Sequence, residues 1–273
     1  MANIAVIGKR GQVASALQAV YSSAKFFGRE ELDLANPDFA RLGKPDVIIN
    51  SGAYTAVDKA ETEQELCNQI NHLAVAALAE YCAENNITLV HYSTDYVFDG
   101  TGNQPFTEDN TINLAPINVY GKSKLAAERA IAQSGCKHYI LRTSWVYSFT
   151  GNNFVKTMLR LADKPELKVV NDQIGCPTYA PDIAAYTKKL LEANPPSGIY
   201  HFTGSEQISW FDFAKMIIPQ TNVLPIPSSE YPLPAKRPLN SRLDTTKIKA
   251  LGINFRQVSA ALQDCLDKIR LGG

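Results

Sequence analysis

Short, almost wholly apolar runs alternate with stretches of helical spacing along the first half of the chain. Asn3–Ile7, Val47–Asn50, Thr88–Ser93 and Tyr139–Thr143 are such runs, with Lys25–Phe27 a shorter one. Continuous rather than alternating apolarity predicts strands buried on both faces, as in a parallel sheet. Between them, Gln12–Val20, Leu66–Glu84 and Val119–Ser134 carry apolar residues at helical intervals. This order, sustained to about residue 145, predicts an α/β fold: a Rossmann-type doubly wound parallel sheet with crossover helices. After Trp145 the texture changes. Gly151-Asn152-Asn153 opens a helix over Phe154–Leu161, and Asp182–Leu191 is another, ended by the turn Asn194-Pro195-Pro196-Ser197-Gly198. The proline-rich stretch 219–240 reads as a wrapping loop, and a loop of that length in a compact domain is expected to be functional. The predicted organisation is a Rossmann domain over 1–148, rejoined by 177–202. A smaller C-terminal substrate-binding lobe takes 149–176 and 203–273.

Composition removes several classes of function. Lys+Arg and Asp+Glu balance at 27 each, so no global field attracts nucleic acid or an anionic membrane, and any phosphate site must be local. The 45% apolar and 20% charged content is that of an ordinary globular protein. The five cysteines, Cys67, Cys82, Cys136, Cys176 and Cys265, have neither metal-ligand spacing nor an even number for a disulfide framework, and a reducing cytoplasm is expected. The N-terminus runs directly into a strand and no apolar run reaches membrane-spanning length, so neither export nor anchoring is expected. No metal site is expected.

Chemistry enters at two places. Gly8-Lys9-Arg10-Gly11-Gln12-Val13-Ala14 joins the first strand to the first helix, with small residues at 8, 11 and 14. Such a turn presents backbone N–H groups of a helix N-terminus to a pyrophosphate, which predicts a dinucleotide site. Arg29 follows the second strand, where an acid would grip the ribose of NAD and a base the 2′-phosphate of NADP. It favours NADP(H), with NAD(H) as the alternative because Glu30 and Glu31 follow directly. The second place is Tyr120-Gly121-Lys122-Ser123-Lys124. Spacing of four stacks the phenol and the ammonium on one helix face, where the cation is expected to lower the phenol pKa toward values useful for proton transfer. The strand Leu89–Ser93 runs out into Thr94-Asp95-Tyr96 at the sheet edge, bringing a hydroxyl toward that phenol. Tyr21 and Lys25 share the spacing but stand alone, and read as a solvated helix end.

Several blocks in order carry a resemblance: Gly8–Gln12, Ala53-Tyr54-Thr55-Ala56-Val57-Asp58-Lys59-Ala60-Glu61, Ser93-Thr94-Asp95-Tyr96-Val97-Phe98, Tyr120–Lys124 and Leu141-Arg142-Thr143-Ser144-Trp145-Val146-Tyr147. Gly151–Phe154, Asn171-Asp172-Gln173 and Pro234–Arg242 extend it over nearly the whole chain. Together they resemble the dTDP-4-dehydrorhamnose reductase family, extended members of the short-chain dehydrogenase/reductase superfamily. The resemblance implies reduction of the 4-keto group of dTDP-4-dehydro-L-rhamnose by a nicotinamide cofactor, for surface polysaccharide synthesis. It implies cofactor contacts at Gly11, Gln12 and Val13, at Asp33 and Leu34, at Ala53, Tyr54 and Thr55, and at Tyr92 and Lys124. It further implies sugar-nucleotide contacts at Thr94, Asp95 and Trp145, with Tyr120 as proton donor. Arg237 and Arg242 resemble the family's C-terminal basic pair and are expected to clamp the substrate pyrophosphate.

Plainer readings stand beside these. Trp145 also suits a core position; Asp58 and Glu61 read as helix-start acids; His91 and His201 read as satisfied structural histidines. Ala16 and Pro181 stand where some family members place acids that link a dimer through magnesium, so no metal-linked dimer is expected and the oligomeric state stays open. Two other functions share the fold: a non-catalytic regulatory subunit resembling the methionine adenosyltransferase β-subunit, and a reductase or epimerase of another nucleotide sugar.

Overall fold

The apolar runs become the strands of one six-stranded parallel sheet. The computed structural model describes residues 2–272. The first half contains β1 (Ile4–Ile7), α1 (Gln12–Val20), β2 (Lys25–Phe27), β3 (Val47–Asn50), α2 (Val57–Ala60), α3 (Gln64–Asn68), α4 (Ala74–Glu84), β4 (Thr88–Thr94), α5 (Val119–Gln133) and β5 (His138–Thr143). The second half contains β6 (Val146–Tyr147), α6 (Phe154–Leu161), β7 (Leu167–Val170), β8 (Ile174–Gly175), β9 (Thr178–Tyr179), α7 (Ala180–Ala193) and β10 (Gly198–His201). Then follow β11 (Ile208–Ser209), α8 (Trp210–Ile217), β12 (Val223–Ile226), β13 (Asn240–Ser241), α9 (Thr246–Lys249) and α10 (Val258–Arg270).

The main sheet has the order β10-β5-β4-β3-β1-β2. Strand alternation sends its apolar residues into two separate layers. Ala5, Ile7, Ile48, Leu89 and Ile140 pack on one face against Val75, Leu78, Ala79 and Cys82 of α4 and Ala127 and Ile131 of α5. Val6, Ile49, Val90 and Leu141 pack on the other against Ala16 and Leu17 of α1 and Ile183, Ala184 and Leu190 of α7. With both faces covered, the strands have no polar side, which is why they read as continuous apolar runs. The chain leaves β1 toward β2 and returns to β3 on β1's other side, so the crossovers diverge there and open a crevice at the strands' C-terminal ends. A third core joins Tyr147, Val155 and Met158 to Phe213, Ala214 and Ile217 of α8 and Val258, Ala261, Leu262 and Cys265 of α10.

Several expectations need correction. The helix expected over Leu66–Glu84 is broken by a π-helical turn, Gln69–Leu73, between α3 and α4. The proline-rich stretch is partly regular: β12 pairs in parallel with β7, with Pro225 opposite Val169. The proline is tolerated because that sheet has only two strands, so Pro225 needs no second partner. Residues Ile248, Ile253 and Phe255, expected in the C-terminal lobe, pack on the Rossmann core instead. Tyr21 is not solvated either; it packs against that same core and its hydroxyl is buried without a partner among the described residues.

Candidate functional site

The crevice at the C-terminal strand ends holds a cavity of about 500 Å³. Gly52, Ala53 and Thr55 line both it and a second cavity of about 350 Å³ beside the end of β2. Gly11, Gln12 and Val13 line the first, and Gly8, Tyr54, Arg29, Asp33 and Leu34 the second. Gly8 adopts φ +103°, and a Cβ there would stand 2.6 Å from Ser51 Oγ, so the turn requires glycine. A Cβ on Gly11 meets no protein atom within 4 Å. Gly11 is therefore not required by packing; it keeps open the cleft in front of α1, whose N-cap has no side-chain partner and whose first turn has no acid. That cradle fits a dinucleotide pyrophosphate.

At the far end Arg29 pairs with Asp33 at 3.3 Å, while Glu30 and Glu31 are drawn off by Arg10 at 3.1 Å and Lys9 at 2.8 Å. The acids that follow Arg29 in sequence are thus engaged elsewhere. Arg29 remains 76% exposed in its ion pair, and such a pair is easily exchanged for a ligand phosphate.

β4 and α5 assemble the reactive wall. Thr94 ends β4 and Asp95 opens the turn after it, and Tyr120 and Lys124 face the same cavity from α5. Thr94 Oγ1 donates to Asp95 Oδ1 at 3.0 Å and accepts from the Tyr96 N–H at 3.2 Å, so the strand end is tied into a tight turn. Lys124 is buried and bonds to the Tyr92 carbonyl at 2.6 Å and to His91 Nε2 at 2.9 Å. His91, expected to be a satisfied structural histidine, is satisfied in part by Lys124 itself. The expected lowering of the Tyr120 pKa is also overturned. Burial and then the Asp95 carboxylate push the phenol well above its ordinary value, the Thr94 hydroxyl offsetting part of the rise. Tyr120 therefore holds its proton firmly at neutral pH. Burial also pulls Lys124 down to about 8 and pushes Asp95 up to about 6.

Two residues outside the expected site, Asn118 and the acid Glu61, hold the first turn of α5. Asn118 caps it, its Oδ1 accepting from the Gly121 N–H at 2.7 Å, and Glu61 Oε1 accepts from the Val119 N–H at 2.9 Å. A Cβ on Gly121 would collide with the Tyr96 carbonyl oxygen, so glycine at this position lets the helix start lie directly on the 95–97 turn. Asn71, in the π-helical turn, bonds to both backbone groups of Tyr54 at 2.8 and 3.0 Å and donates to Ser123 at 3.2 Å, linking the loop after β3 to α5. A π-turn interrupting an otherwise regular helix often marks such a spot.

Trp145 is a wall of the cavity rather than core. It adopts φ +47°, a left-handed conformation costing about 1–3 kcal/mol. Its ring lies on Gly175 and stacks on Trp210 with centroids 3.5 Å apart. Trp210 and Tyr96 separate the main cavity from a largely apolar one of about 360 Å³, which Arg237 also lines. Asp58, read as a simple helix-start acid, accepts from Arg237 at 2.8 Å and from the Ala235 N–H at 3.2 Å. Arg242 donates to Asn240 Oδ1 at 3.0 Å and lines none of these three cavities. Of the two arginines of the expected clamp, Arg237 lines one of these cavities and Arg242 does not.

A family model described as the RmlD substrate binding domain matches residues 2–271. The dTDP-4-dehydrorhamnose reductase of Salmonella typhimurium is 42% identical over 277 aligned residues, covering 90% of this chain and 91% of that protein. The Sinorhizobium fredii reductase is 44% identical over 268, covering 90% of each. The crystal structure of the Bacillus anthracis reductase in complex with NADP matches with TM-score 0.91 at 34% identity, over 98% of this chain and 99% of that one.

Proposed function

Because this chain belongs to the dTDP-4-dehydrorhamnose reductase family, we propose that it reduces the 4-keto group of dTDP-4-dehydro-L-rhamnose to give dTDP-L-rhamnose. The observation that carries the reading is the meeting of Thr94, Tyr120 and Lys124 in the cavity that the glycine turn opens. NADPH, when bound, supplies the hydride.

The protein's residues supply the rest. Gly8, Gly11, Gln12 and Val13 receive the pyrophosphate at the N-terminus of α1, and Arg29 and Asp33 face the adenosine end. Reduction leaves charge on the sugar oxygen. Tyr120, kept protonated by its burial, passes its proton there, and the Thr94 hydroxyl holds that oxygen. In its ammonium form Lys124 stabilises the tyrosinate left behind. Asp95 Oδ2 and Thr143 Oγ1 are buried, lack protein partners among the described residues and belong to cavity-lining residues, so they suit the sugar hydroxyls. The Trp145–Trp210 stack walls the sugar, and the strap bearing Arg237 covers the nucleotide side. Five buried free cysteines support a cytoplasmic setting.

NADPH consumption measured with a panel of dTDP-4-keto-6-deoxy sugars tests the reading. Turnover of the 4-dehydrorhamnose compound is expected. Folded protein that binds NADPH but turns over none of the panel would point to a binding subunit.

A further inference from the structure

Lys124 Nζ sits at the end of a hydrogen-bonded chain whose direction is set from a backbone group. The Gly52 N–H, which can only donate, lies 3.1 Å from Asn50 Oδ1. The Asn50 amide is thereby oriented with Nδ2 toward His91 Nδ1, at 3.2 Å. An amide NH₂ can only donate, so Nδ1 must carry its lone pair and a neutral imidazole must carry its proton on Nε2. Nε2 lies 2.9 Å from Lys124 Nζ. An ammonium there would set donor against donor. A free amine accepts from Nε2–H through its lone pair and gives one hydrogen to the Tyr92 carbonyl at 2.6 Å.

We propose that Asn50 locks His91 as the Nε2–H tautomer, and that this imidazole donates to Lys124 and favours the lysine's free amine over its ammonium. His91 is thus a positioning residue: it is buried, lines neither cavity and acts through Lys124. The proposal rests on the reductase reading for its consequence, the pH at which activity falls as Lys124 loses its proton, but the tautomer itself does not depend on it. The other groups near Lys124 have other partners or are neutral. Glu128, on the same helix, is held by Arg142 of β5 at 2.7 Å, and Cys67 of α3 is a buried thiol beside Ser123. Tyr120 is protonated, and Asp95 on the turn is bonded to Thr94. His91 itself is fully buried, and burial followed by the nearby Lys124 drives its pKa well below the ordinary value, so it remains neutral throughout the working range.

Two measurements on the full chain test this. The imidazole nitrogen spectrum of uniformly ¹⁵N-labelled wild-type protein separates the two neutral tautomers, and with four histidines the His91 signals are assigned by their loss in His91→Gln. Protonated Nε2 with unprotonated Nδ1 is expected; the opposite pattern overturns the proposal whether or not the protein is active. The second measurement is the kcat/KM pH profile. His91→Phe removes the donor and should move the alkaline limb up by about one pH unit, the size of one hydrogen bond's effect. His91→Gln, which can again present an N–H to Lys124, should move it back toward wild type. A downward shift in His91→Phe would show that His91 stabilises the ammonium, and would overturn the proposal. A wild-type protein without reductase activity would remove the functional reading while the spectrum still decided the tautomer.

Discussion

The Arg237 guanidinium rests on the Asp58 carboxylate at 2.8 Å across 179 residues of sequence, fastening the proline-rich strap to the Rossmann domain. Asp58 also receives the Ala235 N–H, and Asn118, which caps α5, donates to the Lys236 carbonyl at 2.9 Å. The strap is therefore tied at two places, to Asp58 of α2 and to the residue that caps α5.

If the strap is held by this contact, Asp58→Asn and Arg237→Ala should each raise the KM for the nucleotide sugar several-fold while the NADPH Kd stays unchanged. The double variant should lose no more than the worse single one, because both remove the same tie. Additive losses would show that Arg237 acts on substrate independently of Asp58. Arg242→Ala should change KM little, since Arg242 lines none of the three cavities.

Tyr120→Phe keeps the ring and deletes the proton. Turnover should fall by about 10²–10⁴-fold with NADPH binding retained. Lys124→Met should lose turnover and also weaken NADPH. Tyr21→Phe is the control: its buried hydroxyl has no partner among the described residues, so activity should be unchanged and thermal stability equal or higher. Near wild-type turnover by folded Tyr120→Phe would remove it as the proton donor.

Arg29→Ala should weaken NADPH binding more than NADH binding, measured by titration of each cofactor. Asp33 lies at 3.3 Å from Arg29, so its charge is uncovered by the substitution and should oppose a 2′-phosphate further. Equal loss for both cofactors would make Arg29 only a surface charge.

Asp95 gives a pH signature of opposite sign to an ordinary ion-paired acid. Its folded pKa, raised by burial from 3.8 to about 6, means the native chain binds more protons than the unfolded chain between those values. Its contribution therefore falls as pH rises through that window, by up to about 3 kcal/mol. Asp95→Asn should be more stable than wild type at pH 7, with the difference shrinking toward zero near pH 4 in urea unfolding series. Buried His201, held down to about 3, works in the other direction over an overlapping range, so only the difference between the two proteins isolates Asp95. A difference independent of pH would place the Asp95 pKa near its ordinary value.

The local signals in the sequence determined the class of fold, the glycine turn and the Tyr120/Lys124 pair. Each depends on short-range periodicity or on a backbone turn: apolar runs such as Val47–Asn50, the small residues at 8 and 11, and helical spacing of four. Tertiary structure decided what those groups are surrounded by. Nothing near Tyr120 in sequence shows that burial and Asp95 outweigh any nearby cation and hold its proton on. His91 looks like an isolated core histidine until β3 and β4 pair in parallel and set Asn50 opposite it, with α5 laying Lys124 across. Asp58 and Arg237 are paired only because the chain crosses the molecule and returns. Arg242, five residues on, is turned to Asn240 by the same strap. Proton affinities and long-range ties depend on distance through space and on exclusion of water, and neither is written in the order of residues.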